Sequence, residues 1–115
     1  MLAPKGMVRS MKKVINGLRY DTEIAEKIGA DHGGGDCTDF GYWEEVLYRT
    51  PRGKRYFLHG QGGPRSNYAQ RSGYSMWKSG ERIIPMTVDE AFAWASEHLD
   101  GDDCEATFAD MVEEA

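Results

Sequence analysis

Hydrophobic positions along this chain switch between a period near two and a period near 3.6, and the alternation predicts an α+β domain. Val14, Ile15, Leu18 and Tyr20 flank Asn16-Gly17, a dipeptide that accepts positive φ at both central positions of a type I′ turn, so a short hairpin is expected. Asp21 or Thr22 can then cap a helix whose narrow apolar stripe is Ile24, Ala25 and Ile28, with Gly29 as its stop. Asp31 to Thr38, containing Gly33-Gly34-Gly35, reads as a loop.

The strongest strand pattern follows. Tyr42 to Arg49 is rich in aromatic and β-branched residues, Thr50-Pro51-Arg52-Gly53 has turn chemistry with glycine available for a left-handed position, and Lys54 to His59 returns. On the returning strand Tyr56 and Leu58 share one face, and Phe57 and His59 the other. With apolar groups on both faces, this hairpin is expected at the centre of a sheet covered on both sides. Gly60 to Tyr68 reads as a loop, with a short helical turn through Ala69. Arg71 to Gly80 reads as irregular, anchored by Tyr74 and Trp77, and Arg82 to Met86 as a short strand whose Pro85 suits an edge. Thr87-Val88-Asp89-Glu90 is a capping box opening a helix with the stripe Val88, Ala91, Phe92, Ala95 and Leu99. Gly101 is its expected end, and a final helix from about Asp103 carries Cys104, Phe108, Met111 and Val112 on one side. The sum is an antiparallel sheet of about four to five strands, with the hairpin 42–59 at its centre, packed with two or three helices.

Length and composition fit one domain. The chain has 115 residues, 40% of them hydrophobic, enough for a core and too apolar for a disordered segment. Residues 1–10 are expected as a flexible extension and 11–115 as the domain. No apolar run is long enough to span a membrane and Met1–Ser10 lacks an apolar signal core, so no membrane association and a cytoplasmic location are expected. Two cysteines, Cys37 and Cys104, are too few for a disulfide scaffold, and their pairing stays open.

Charge alters this picture more than composition does. The net charge of -5 hides a gradient: residues 1–20 hold 5 basic residues and no acid, 21–88 hold 9 of each sign, and 89–115 hold 10 acids and no Lys or Arg. Such asymmetry concerns partners rather than fold.

No catalytic, metal or cofactor motif emerges. His32 and Cys37 lie beside Asp31 and Asp36, but the second close ligand pair that zinc needs is missing. No GxSxG or HExxH is present. Gly60-Gln61-Gly62-Gly63-Pro64-Arg65 lacks the GK[ST] ending of a phosphate loop, and Pro64 removes an amide donor. Its glycines read first as a backbone excursion through positive φ. The remaining candidates are surfaces. One is acidic: Asp100, Asp102, Asp103, Glu105 and Asp110. The other is a loop and hairpin surface of Arg52, Gln61, Arg65 and Tyr68, where cations interleave with Tyr48, Tyr56 and Phe57. That interleaving gives the alternative reading, a small nucleic-acid-binding accessory protein, against the plainer one of core aromatics beneath a solvated hairpin tip.

Four segments carry a resemblance: Ile15-Asn16-Gly17-Leu18-Arg19-Tyr20-Asp21-Thr22-Glu23, Trp43-Glu44-Glu45-Val46-Leu47-Tyr48-Arg49-Thr50, Phe57-Leu58-His59-Gly60-Gln61-Gly62-Gly63-Pro64, and Ile83-Ile84-Pro85 with Glu90-Ala91-Phe92-Ala93-Trp94. Over residues 11–99 the chain resembles a group of short proteins encoded in phages and mobile elements of Gram-positive bacteria. The likeness is to a profile and a genomic context, without assigned catalytic residues. It implies a non-catalytic anti-defence protein of the anti-CRISPR kind, which would bind a host nuclease or its guide complex, a protein or ribonucleoprotein partner, and block nucleic-acid engagement. The acidic tail beyond residue 99 lies outside the resemblance.

Overall fold

The computed structural model describes residues 10–36 and 38–115. The expected extension Met1–Ser10, apart from Ser10, and Cys37 with its pairing question lie outside them. The class is α+β, as expected. Strands β1 (Lys12–Ile15), β2 (Leu18–Asp21), β3 (Glu26–Gly33), β4 (Trp43–Arg49), β5 (Tyr56–Gly62), β6 (Gln70–Gly73), β7 (Met76–Lys78) and β8 (Gly80–Met86) precede helices α1 (Val88–His98) and α2 (Gly101–Phe108) and a short 3-10 turn, Ala109–Met111. The main sheet has the order β3-β4-β5-β8 and every neighbouring pair is antiparallel; β1-β2 and β6-β7 are separate two-stranded ribbons.

The central hairpin is central, and its two faces bury two different cores. Leu47, Tyr56 and Leu58 pack under α1 and α2 against Ala91, Trp94, Ala95, Cys104 and Phe108. Phe57 and Ile83 on the opposite face meet Tyr20 of the β1-β2 ribbon, with Met11, Ile15, Ala25 and Tyr48 around them. Strand alternation at Phe57 and Leu58 sends successive side chains into the two cores, a geometry open only to a strand covered on both sides. Cys104 is buried as a free thiol.

Local chemistry explains most boundaries. Asn16 (φ 52) and Gly17 (φ 80) both take positive φ in the first turn, as a type I′ hairpin requires. In the second, Gly53 is not the left-handed residue; Lys54 is, at φ 52, while Thr50 closes the turn by donating its N–H to the Arg55 carbonyl and accepting the Arg55 N–H on Oγ1. The capping box at α1 is complete: Thr87 Oγ1 accepts the Glu90 N–H and Glu90 accepts the Thr87 N–H.

Four expectations are corrected. The helix over 22–28 is absent, and Glu26–Gly33 is a strand that pairs with β4 and also takes up the start of the expected 31–38 loop. Its signal survives as one turn, Ala25 N–H to Asp21 carbonyl, with Asp21 Oδ1 accepting the Glu23 N–H. So short a helix cannot propagate against Gly29, and pairing along all of β3 satisfies more backbone groups. Gly60, Gln61 and Gly62 belong to β5 rather than to a loop. Arg71 to Gly80 is no irregular segment but the β6-β7 ribbon and the start of β8; Tyr74, 97% exposed, and Trp77, 54% exposed, anchor nothing in the core. Gly101 does not end α1 but opens α2: Leu99 closes α1, and Asp100 caps α2 by accepting the Asp103 N–H.

Among the described residues, no helix is long and apolar enough to cross a membrane. Replacing Thr87 by Ala removes one half of the capping box and is expected to cost about 1 kcal/mol. The measurement is a urea melt: a lower midpoint at unchanged slope supports the cap, and an unmoved midpoint refutes it.

Candidate functional site

A single row of residues crosses the helix-facing side of the sheet. Asp31 on β3 pairs with Glu45 on β4, Glu45 with Gly60 on β5, and Gly60 with Arg82 on β8. Two carboxylates, a gap and a cation thus stand in line. Tyr68 fills the gap, because a Cβ on Gly60 would lie 2.0 Å from its ring. Arg82 lies over that ring, its guanidinium carbon 5.0 Å from the centroid. Helix α1 supplies the remaining partners. Glu45 accepts the Trp94 indole N–H at 2.8 Å on one oxygen and the Tyr68 hydroxyl on the other. Asp31 contacts His98 Nδ1 at 2.9 Å, and the His98 ring stacks on Trp94 with centroids 4.7 Å apart.

These contacts set the electrostatics. The His98 hydrogen bond holds the Asp31 carboxyl below its ordinary 3.8, against a smaller opposing effect of burial and with help from the His32 N–H. Burial, then the Glu45 carboxylate, push the Tyr68 hydroxyl well above the tyrosine range, so Tyr68 stays a neutral donor. Trp43, Glu45, Asn67, Tyr68 and His98 line a recess of about 280 Å³ over the row. Both Glu45 oxygens and the Tyr68 hydroxyl are engaged internally, and no alcohol or thiol of Ser, Thr or Cys lines the recess. The row is built to fix α1 and the 63–69 segment to the sheet. Among the described residues no three or more His, Cys, Asp and Glu side chains group closely enough to hold a metal ion.

The glycines at 60–63 acquire a different reason from the expected one. None has positive φ; each is needed because a side chain would have no room. At Gly60 the obstacle is Tyr68, and at Gly62 it is Ser66 and the Tyr42 carbonyl.

The four loop and hairpin candidates do not form one surface. Tyr68 is 4% exposed and belongs to the row. Gln61 is on the opposite sheet face, donating to Glu44 Oε1 at 3.2 Å, and lines a cleft of about 370 Å³ with Asp39, Tyr42, Glu44 and Ser79. Arg65 is exposed, its guanidinium carbon 5.9 Å from the Phe40 centroid. Arg52 sits in the β4-β5 turn beyond the Arg49–Tyr56 pair, whereas Gln61 pairs with Glu44; five steps at about 3.4 Å separate those levels by roughly 17 Å. Of the aromatics nearest the hairpin tip, Tyr56 and Phe57 are buried in the cores and Tyr48 packs against the second.

The acidic candidates are all exposed. All 10 acids between residues 89 and 115 are exposed, and Asp89, Glu90 and Glu97 of α1 join Asp100, Asp102, Asp103, Glu105 and Asp110 on the helical layer. Three of the five candidates also have a local duty: Asp100 is the α2 cap, and Asp102 and Asp103 occupy its first turn, where the helix dipole favours negative charge. Glu105 and Asp110 lie outside that turn. A hollow of about 340 Å³ opens within this layer, lined by Phe92, Ser96, Leu99, Cys104, Met111 and Val112, with Glu113 at its side.

Single-sequence reasoning missed Asp31, Glu45, Trp94 and His98. Partners such as Asp31 and His98 are 67 positions apart, and no local spacing signals such a pair. Comparison with family models, curated proteins and solved structures returns no match for the chain.

Two outcomes test the row. Gly60→Ala forces Tyr68 from its place and is expected to cost about 1–3 kcal/mol, the usual range for overpacking, measured by thermal unfolding; an unshifted transition would refute the fit. Because the Asp31 pKa is lower in the folded state, its pairing stabilises above 3.8 and that stabilisation fades as pH falls through the lower folded value. Asp31→Asn is therefore expected to be less stable than the parent near neutrality, with the difference shrinking in acid. A difference constant across an acid titration of stability rules out the His98 pairing as its source.

Proposed function

We propose that this protein is a non-catalytic interaction protein of the anti-defence type, whose acidic helical layer occupies a basic, nucleic-acid-binding groove on a host nuclease or its guide complex in the cytoplasm. One observation carries the reading: every acid from residue 89 to 114 is exposed on a layer without a single Lys or Arg. Acids at the two helix starts serve the fold, but Glu97, Glu105, Asp110, Glu113 and Glu114 add like-charge repulsion with no such return, whereas a single-sign field steers and orients a partner of opposite sign.

The hollow among Phe92, Leu99, Cys104, Met111 and Val112 adds the second element of a protein interface, an apolar centre inside a charged rim. A basic groove offers what both elements need, since Arg and Lys carry apolar stems beneath charged heads. The choice of a defence nuclease as the owner of the groove rests on the resemblance expected from the sequence of residues 11–99, and is part of the proposal.

The test is inhibition of target cleavage by guide-loaded CRISPR effector nucleases of several types. Joint Asp102→Asn, Glu105→Gln and Asp110→Asn substitution, with the Asp100 cap intact, is expected to weaken inhibition about tenfold or more, chiefly through slower association that falls further with salt. Val112→Asp is expected to weaken it through the hollow. Full inhibition by the neutralised variant, or none by the parent against any effector, would overturn the reading.

A further inference from the structure

On the sheet face that α1 and α2 leave uncovered, the β1-β2 ribbon and the β4-β5 turn hold a site of opposite character. Arg19 of β2 and Arg52 and Arg55 of the β4-β5 turn line one cleft of about 200 Å³, together with Leu18, Tyr20, Ile24, Thr50, Pro51 and Gly53. No carboxylate is among its lining residues. The nearest basic residue along β4, Arg49, is taken by Glu26 at 2.6 Å. No ion pair to Arg19, Arg52 or Arg55 occurs among the described residues.

Three like charges from two separate hairpins do not converge for stability. Their repulsion opposes docking of the β1-β2 ribbon on the sheet, which Tyr20 and Phe57 must secure in spite of it, with ring centroids 5.3 Å apart. The cleft is also preorganised. The two Thr50–Arg55 hydrogen bonds fix the turn that carries Arg52 and Arg55, and the strand pairing Val14–Arg19 fixes the third.

We infer that this cleft binds a phosphate group, held by the Arg19, Arg52 and Arg55 guanidiniums, with the sugar or base attached to it lying against Leu18, Ile24 and Pro51. A planar carboxylate offers two oxygens and satisfies one guanidinium fork. A tetrahedral phosphate presents oxygens in several directions and matches forks arriving from two hairpins. The exposed wall, with Ile24 56% and Leu18 38% exposed, suits the apolar parts of a nucleotide better than a free inorganic ion. The site is independent of the acidic layer: it rests on the ribbon and the turn, on the sheet face that α1 and α2 do not cover.

The experiment is fluorescence anisotropy of a labelled oligothymidylate with the full chain, beside NMR titrations with inorganic phosphate and with adenosine monophosphate, and with oligoglutamate as a carboxylate polyanion. Joint Arg19→Ala, Arg52→Ala and Arg55→Ala substitution is expected to weaken oligonucleotide binding at least tenfold and to flatten the salt dependence by ~2 in log–log slope, three contacts at about 0.7 each. Arg65→Ala with Arg71→Ala, which removes charge elsewhere, is expected to leave affinity unchanged. Arginine-dependent binding of the mononucleotide as tight as that of the oligonucleotide supports a free phosphorylated ligand, and tighter oligonucleotide binding supports a nucleic-acid backbone. Equal or tighter binding of oligoglutamate, unchanged affinity in the triple variant, or an equal loss in the Arg65/Arg71 control would each overturn the assignment. Should the triple variant fail to fold by circular dichroism, Arg52→Ser alone, at an exposed turn position, decides by the same readout.

Discussion

The Glu45 carboxylate is the constraint around which the structure is arranged. It stands near the middle of the sheet and accepts one donor from α1 and one from the 63–69 segment. A half-buried carboxylate needs such partners, because an unpaired charge taken from water costs more than either hydrogen bond contributes. Each donor imposes a condition in turn. Trp94 must lie over the end of β4, which sets the rotation of α1 and hence which stripe, Ala91 and Ala95, touches the sheet. Tyr68 must lie flat across β5, which requires the absence of a side chain at Gly60. The helical layer is thereby held in one orientation, with each of its acids exposed.

Charge then divides between the two covers of the sheet. The helices bury Leu47 and Leu58 and present negative charge outward; the β1-β2 ribbon buries Phe57 and presents positive charge beside the β4-β5 turn. Arg19 of the ribbon and the acids of the helices are kept apart because the ribbon covers one face of the sheet and the helices cover the other. A protein so polarised has strong directional preferences in association even where its net charge is modest.

Much of this was legible in the sequence where a local rule had no competitor. Asn16-Gly17 and the Thr87–Glu90 box each encode a backbone geometry within four residues, and both formed as read. The alternation at Tyr56, Phe57 and Leu58 announced a doubly covered strand. Reading failed where long-range pairing decided. The cap at Asp21 was real, but β4 recruited the next residues before a helix extended. The glycines after His59 were read as a search for unusual φ, whereas they are vacancies shaped by Tyr68 and Ser66, invisible without the fold. Of the candidate site, the exposure of the acids was readable because a charge needs water when it has no partner. The separation of Arg52 from Gln61, and the meeting of Arg52 with Arg19, depend on topology.

The irregularity in β3 between Lys27 and Gly29 bears on how the molecule behaves among its own copies. β3 and β8 are the outer strands of the main sheet, and outer strands are where one chain recruits another into a growing ladder. The bulge breaks the regular row of donors and acceptors on one side. Pro85 removes a donor on the other. A sheet with both rims interrupted resists edge-to-edge aggregation, so its copies stay apart at concentrations where an unbroken edge would recruit another chain.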